Sequence, residues 1–219
     1  MTEGRMVIER WAVEPFLKNG YVLACSKMRQ AAYIDPGDES AQALDWIEGS
    51  GYELASVLLT HAHIDHICGI GSVIQRRKAP IYLHPDDEPL YNALEAQSQW
   101  FGLSCPPAPP VDRHLSEKEE VKVGELRLKV HHTPGHSPGG VCLEVGNHVF
   151  CGDAIFAGSI GRTDLPGASQ AVLMRSIRDK ILTLGDEKIL HPGHGPDSTI
   201  GHERRTNPFI IGSPYLSGE

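Results

Sequence analysis

Three histidines and an aspartate crowd into the stretch Thr60-His61-Ala62-His63-Ile64-Asp65-His66. The run before it, Ala55-Ser56-Val57-Leu58-Leu59, is short and mostly apolar and ends at polar residues, which predicts a buried strand. The cluster then sits at the carboxyl end of that strand, where open α/β architectures place their ligand sites. His61 and His63 are two apart, so an extended backbone points both the same way, toward one ion. Asp65 and His66 follow as the chain turns, and they aim at a second point nearby. Imidazoles packed this closely lack partners unless something binds them, and imidazole with carboxylate suits a transition metal. Whatever fold this chain adopts has to bring further strand ends to that point.

The rest of the sequence supplies such ends. Residues 7–13, 21–26 and 31–35 read as strands, with Asn19-Gly20 as a hairpin turn between the first two. Asp35-Pro36-Gly37-Asp38 is a second turn. Ala43, Leu44 and Ile47 mark a helix that begins at Glu39 and is closed by Gly49-Ser50-Gly51. A strand over 54–60 precedes the histidine cluster. A helix around 66–78, a parallel strand at Ile81-Tyr82-Leu83-His84 and a helix across 86–98 follow it. Cys105-Pro106-Pro107-Ala108-Pro109-Pro110 predicts an extended surface stretch bordering the mouth of the site. Strands are expected at 126–132, 140–145, 148–152 and 187–191, with a helix at 169–184. Two βαβ-like halves of this kind imply an α/β fold, a four-layer α/β/β/α sandwich, and 219 residues fit one domain.

Three later segments repeat the pattern of a polar residue beside glycine at a strand end. They are Thr133-Pro134-Gly135-His136-Ser137-Pro138-Gly139-Gly140, Cys151-Gly152-Asp153, and His191-Pro192-Gly193-His194-Gly195. Each is weak alone, but four such ends in one chain form a strong pattern.

His61-x-His63-x-Asp65-His66 with His136, Asp153 and His194 resembles the metallo-β-lactamase fold superfamily. Pro134-Gly135-His136-Ser137-Pro138-Gly139 and the stretch Gly158 to Gly167 resemble its small glyoxalase II-like, hydroxyacylglutathione hydrolase-like members. The resemblance implies the metallo-β-lactamase type of sandwich and two divalent transition-metal ions per chain, zinc first, with iron or manganese as alternatives. It puts His61, His63 and His136 on one metal, and Asp65, His66 and His194 on the other, with Asp153 bridging. Such a pair of ions would share a water, lower its pKa and deliver hydroxide to a carbonyl carbon, with Asp65 also orienting the nucleophile. The implied activity is a thioesterase of glyoxalase II type, acting on S-lactoylglutathione or related small-molecule thioesters. About 25 residues follow His194, too few for the helical glutathione-binding domain of full-length glyoxalase II enzymes. Three alternatives share the motifs: a mononuclear-iron persulfide dioxygenase, a β-lactamase, which would carry an export signal, and a non-catalytic metal-binding module. Arg162 is read as a structural partner of Asp164 in preference to a substrate contact.

Seven histidines remain. His131 and His132 are expected on a strand beside the site, one of them supporting a ligand. His84, His114, His148, His191 and His202 are expected to be bystanders. A net charge of −8 with no basic face argues against nucleic acid. No apolar run of 18 residues exists to span a membrane. The segment Met1 to Val7 has no apolar core of a signal peptide. Five cysteines, odd in number and without a Cys-x-x-Cys pair, predict reduced thiols and a cytoplasmic protein. Cys68 and Cys151, close in sequence to the ligands, are expected to be small core residues. Oligomeric state has no signal.

Overall fold

The computed structural model of the protein describes residues 6–212. The reading of the first residues as lacking an export signal falls mostly on positions 1–5, outside the described residues.

The first sheet runs in the order β1 (Met6–Val13), β2 (Lys18–Cys25), β3 (Gln30–Ile34), β4 (Glu53–Leu58), β5 (Ile81–Leu83) and β6 (Arg113–His114). β1, β2 and β3 form an antiparallel meander, and β3 through β6 are parallel. The second sheet contains β7 (Glu120–Val123), β8 (Leu126–His132), β9 (Val141–Val145) and β10 (His148–Gly152), and β10 pairs in parallel with a strand at Ile189–Pro192.

Strand periodicity divides the core into three layers. Along β2, Tyr21, Leu23 and Cys25 face the second sheet, while Val22 and Ala24 face helices on the outside. Ala32 and Ile34 of β3 face inward with Leu58, and Ala31 and Tyr33 face outward. The second sheet answers with Val121, Leu128, Val130, Leu143 and Phe150 in the central layer. Its other face, with Cys142, Val149 and Cys151, packs on Leu173, Met174 and Ile177 of the outer helical layer. The expected α/β/β/α sandwich is the observed fold.

Four local expectations need correction. Asn19-Gly20 is not the hairpin turn: Val13 pairs with Lys18, so the turn is 14–17 and Asn19 lies inside β2. Leu17, at φ 51°, supplies the left-handed residue that the Asn-Gly pair was expected to provide. The helix expected from Glu39 is α1 (Ser40–Gly49), but the helix expected around 66–78 is two, α2 (Ile64–Ile67) and α3 (Ile70–Arg76). The chain breaks at Gly69, where a Cβ would lie 2.1 Å from the Gly37 carbonyl oxygen. The helix across 86–98 is a 3-10 turn at Pro85–Asp87, then α4 (Glu88–Asn92) and α5 (Leu94–Phe101). The expected helix 169–184 is α6 (Gln170–Ser176) continued by a π-turn, Ile177–Ile181.

The cysteine reading also changes, because Cys68 and Cys105 form a disulfide. Their separation of 37 residues leaves no local spacing to read, since the bond joins a helix break to a distant proline-rich loop. Cys25, Cys142 and Cys151 are free and buried, and the cysteine count no longer argues for a reducing compartment. The proline-rich loop does not behave as a free rim. Its Cys105 is bonded beside α2, and a Cβ on Gly71 of α3 would lie 2.7 Å from the Pro107 carbonyl oxygen.

Candidate metal centre

The seven residues singled out from the sequence converge at one end of the two sheets. His61 and His63 leave the end of β4, and Asp65 and His66 lie on α2 directly after them. His136 is carried by the loop between β8 and β9, Asp153 follows β10, and His194 follows the strand Ile189–Pro192.

His61, His63 and His136 form one triad, their ring centroids 4.5–4.9 Å apart, with His63 Nδ1 2.8 Å from His136 Nε2. Asp65, His66 and His194 form a second: Asp65 Oδ2 lies 3.0 Å from His194 Nε2 and 3.6 Å from His66 Nε2. Asp153 stands between them. Its Oδ2 is 3.6 Å from both His136 Nε2 and His194 Nε2, and its Oδ1 is 3.3 Å from His66 Nε2. His61, His66 and Asp153 also bring donor atoms within 4.8 Å of one another, so the two triads are contiguous.

The donor set fits a divalent transition metal. His61 Nε2, His66 Nε2 and Asp153 Oδ1 are buried and make no hydrogen bond. Buried polar atoms are normally satisfied, and orphans aimed at one point mark the place of something that satisfies them. Nitrogen and carboxylate oxygen are the ligands zinc, iron and manganese accept. Gly193 belongs to the same geometry. A Cβ there would lie 2.1 Å from Asp153 Oδ1 and 2.7 Å from His66 Cε1, so no side chain fits at that position.

Outer contacts set the ring orientations. His66 Nδ1 is 2.9 Å from Asp35 Oδ2, which directs Nε2 into the site. The same carboxylate accepts from Thr60 N–H at 2.7 Å and Thr60 Oγ1–H at 2.6 Å. His136 Nδ1 lies 2.8 Å from the Arg162 carbonyl oxygen. The Arg162 guanidinium instead pairs with Asp164 through two 3.0 Å contacts, the structural pairing expected for it. Gln97 of α5 accepts from Ile64 N–H and donates to the Ala62 carbonyl. Asn19, misread as a turn residue, donates its side-chain amide to the carbonyls of Pro192 and Gly195 and so fixes the His194 loop.

The electrostatics of the site are unequal. Burial, helped by the charge of His66, holds His61 well below the usual imidazole range. Burial and the neighbouring His136 take His63 down to about 4. Burial acts the same way on His66, but Asp65, Asp153 and Asp35 outweigh it and push the group up to about 10. Burial would raise the Asp65 and Asp153 carboxyls, yet His66 in particular holds both below their ordinary range.

Sequence reasoning missed Asp35, Asp87 and Gln97. Asp35 carried the signal used for the others, a polar residue at a strand end beside glycine, but its Pro-Gly neighbours read as a plain turn. Asp87, one of two adjacent aspartates at the surface-like Pro85-Asp86-Asp87-Glu88, and Gln97, inside an ordinary helix, carried none. Among the other histidines, His131 pairs with Glu144, His114 with Glu88 and His148 with His191, all away from the triads. His132 stacks on His84 at 3.9 Å, and its Nε2 lies 3.0 Å from the Pro138 carbonyl oxygen, so it supports the His136 loop as expected of one of the pair. His202 lies exposed on the last helices.

The profile of the metallo-β-lactamase superfamily matches residues 15–194, from the first hairpin through the last histidine of the site. The chain belongs to the metallo-β-lactamase superfamily. The hydroxyacylglutathione hydrolase GloC of Haemophilus influenzae is 38% identical over 186 residues, covering 83% of this chain and 88% of that one. The structure of BLEG-1, a B3 metallo-beta-lactamase, superimposes with a TM-score of 0.86 at 36% identity, over 93% of this chain and 99% of the other. TTHA1623, solved in a di-iron-bound form, gives a TM-score of 0.84 at 39% identity, over 92% and 99%. The fold implies divalent metal binding, and the clusters above are where this superfamily member can provide it.

Proposed function

We propose that this chain is a dinuclear metallohydrolase that cleaves thioesters, with His61, His63 and His136 on one ion, Asp65, His66 and His194 on the other, and Asp153 between them. The observation that carries the reading is the contiguity of the two triads through Asp153, with three buried donor atoms left without hydrogen bonds. Likeness to GloC, a hydroxyacylglutathione hydrolase, favours thioesters such as S-lactoylglutathione. Zinc is the first choice of metal. Iron is supported by the di-iron form of TTHA1623, and manganese suits the same donors.

Bound divalent ions supply Lewis acidity and bring the pKa of a water they hold toward neutrality. The protein groups do the rest. Asp35 keeps the proton of His66 on Nδ1 and leaves Nε2 toward the site. The Arg162 carbonyl does the same for His136. Asp65, ionised across the working range, accepts a hydrogen bond from the attacking water and orients it toward the thioester carbonyl. A thiolate is a good leaving group, so no general acid beside the sulfur is required. At 32% side-chain exposure His194 is the most open of the group Asp65, His66, Asp153 and His194.

The side chains around His194 and α5 bear on the substrate. Leu17 is exposed on the hairpin whose next residue bridges to His194, and Phe16 packs edge-on against Phe101 at 5.6 Å. Trp100 and Phe101 follow Gln97 on α5 and are exposed, and Phe156 meets His194 edge-on at 6.0 Å. These neighbours of His194 and Gln97 are apolar, and Arg162 is already paired with Asp164. The acyl group at the metals therefore carries most of the recognition, and thioesters lacking the γ-glutamyl group react within about tenfold of the glutathione ester in kcat/KM. A preference of several hundredfold for the glutathione ester refutes that.

Likeness to BLEG-1 supports a second reading, lactam hydrolysis by the same attack on an amide carbonyl. Metal analysis with a panel of thioester, lactam and persulfide substrates separates the readings. Oxygen-dependent persulfide turnover by a chain holding one iron, without thioesterase activity, overturns the proposal.

A further inference from the structure

Asp87 is completely buried at the end of the 3-10 turn after β5, and it touches no imidazole through a hydrogen bond. Its Oδ2 accepts from Ala62 N–H at 3.0 Å and from Ser137 Oγ–H at 2.8 Å, and its Oδ1 accepts from Gly139 N–H. Ala62 lies between His61 and His63, and Ser137 follows His136. One carboxylate thus fastens together the two loops, distant in sequence, that carry the first triad. The close approach leaves no room at the far end: a Cβ on Gly139 would lie 2.6 Å from Asp87 N.

Asp35 is arranged differently. It binds His66 of the second triad directly and reaches the first through Thr60, whose Oγ1 lies 3.2 Å from His61 Nδ1, whereas the Asp87 contacts lie only among residues 62 and 137–139. The distance between the two loops fixes whether three imidazoles can meet at one point. A carboxylate with three donors from both loops controls that distance, because each donor freed inside a dry site costs the full loss of its hydrogen bond. A neutral amide in its place keeps one acceptor oxygen and turns an NH2 toward groups that themselves donate.

We infer that Asp87 is the positioning residue of the three-histidine half: it sets the affinity of the ion held by His61, His63 and His136 and leaves the other half untouched. The inference rests on the two-ion reading given above.

The test is titration of the metal-free protein with cobalt(II), followed by calorimetry and by the visible ligand-field bands, in wild type, Asp87→Asn and the milder Ser137→Ala. Wild type takes up two ions. In Asp87→Asn one ion binds as in wild type and the other about tenfold or more weaker, the usual scale for losing a partner outside the ligand shell. Ser137→Ala lies between them. Both affinities unchanged, with only a lower melting temperature, would reduce Asp87 to a fold support and overturn the inference. Equal weakening of both ions overturns it too. Should wild type bind a single ion, the two-ion reading falls separately. The inference is then decided by amide hydrogen exchange in the metal-free proteins. Asp87→Asn has to speed exchange at Ala62 and Gly139 while Thr60, held by Asp35, stays protected. Uniform or absent change at those three amides refutes it.

Discussion

Replacing Asp35 with asparagine is the most informative single change for the second triad. The carboxylate accepts three hydrogen bonds, from Thr60 N–H, Thr60 Oγ1–H and His66 Nδ1–H, at 2.7, 2.6 and 2.9 Å. Asparagine preserves the shape and one acceptor, so the backbone contact to Thr60 can survive. The other two contacts then meet an NH2 group. Bonds to a charged acceptor contribute about 1.5–3 kcal/mol each, so the folded metal-free protein loses about 3 kcal/mol or more. The consequence for metal is sharper than the loss of stability. An NH2 beside His66 suits only an unprotonated Nδ1, which leaves the ring proton on Nε2, the atom that faces Asp65 and Asp153. A ring protonated there cannot ligate. The expected result is a 10–100-fold loss of affinity for one ion, measured by competition with a chromophoric chelator, alongside denaturant unfolding of the metal-free chain. Wild-type affinity for both ions in a variant that has lost the expected stability would refute the idea that Asp35 acts through the His66 tautomer.

Asp153→Ala removes the carboxylate that stands between the two triads and should lose metal occupancy and activity together, read by metal analysis of the purified variant. One ion, retained unchanged after the substitution, contradicts the bridging role. Alanine at His61, His63, His66, His136 or His194 should cut turnover severely, whereas His114→Ala and His148→Ala should leave it near wild type. An inactive His114 variant with normal folding and metal content would mean that the site is misdrawn. In the metal-free protein, His66 is raised to about 10, so its contribution to stability is complete below its unfolded value and is lost as pH rises through about 10. His63, lowered to about 4, acts in the opposite direction: the unfolded chain binds its proton first, so stability falls as pH drops from the ordinary imidazole value through about 4. Unfolding free energies of the metal-free chain should therefore peak between these limits, and a flat profile from pH 5 to pH 9 contradicts both assignments.

The legible part of this protein was its periodic part. Strands facing a core on both sides announce themselves as apolar runs, and Tyr21 to Cys25 or Val141 to Val145 divide between layers as alternation requires. All seven donor positions stood out because histidine and aspartate beside glycine at a strand end have few other reasons to recur, and the structure does bring those seven together. What stayed hidden depends on distance in the chain. The disulfide joins Cys68 to a loop 37 residues away, and Asp87 meets residues 25, 50 and 52 positions from it. No local pattern encodes such a pairing. The Asn19-Gly20 error has a different origin: the dipeptide suits a tight turn by itself, but the Asn19 amide is worth more bonded to the Pro192 and Gly195 carbonyls beside His194.

The unusual charge state of the metal-free site follows from what it is built to hold. Buried Asp35 and the part-buried Asp65 and Asp153 all face His66, and in the metal-free chain a proton kept on that ring balances them. His61 packs at 4.0 Å from it, and burial beside that charge keeps His61 neutral, with Nε2 lacking any partner. A single proton cannot serve both rings. On the two-ion reading proposed above, a divalent ion at each triad would balance the carboxylates, take the lone pair that His61 leaves unused and release His66 from its proton. The same carboxylates that trap the proton in the absence of metal are thus the reason a cation displaces it.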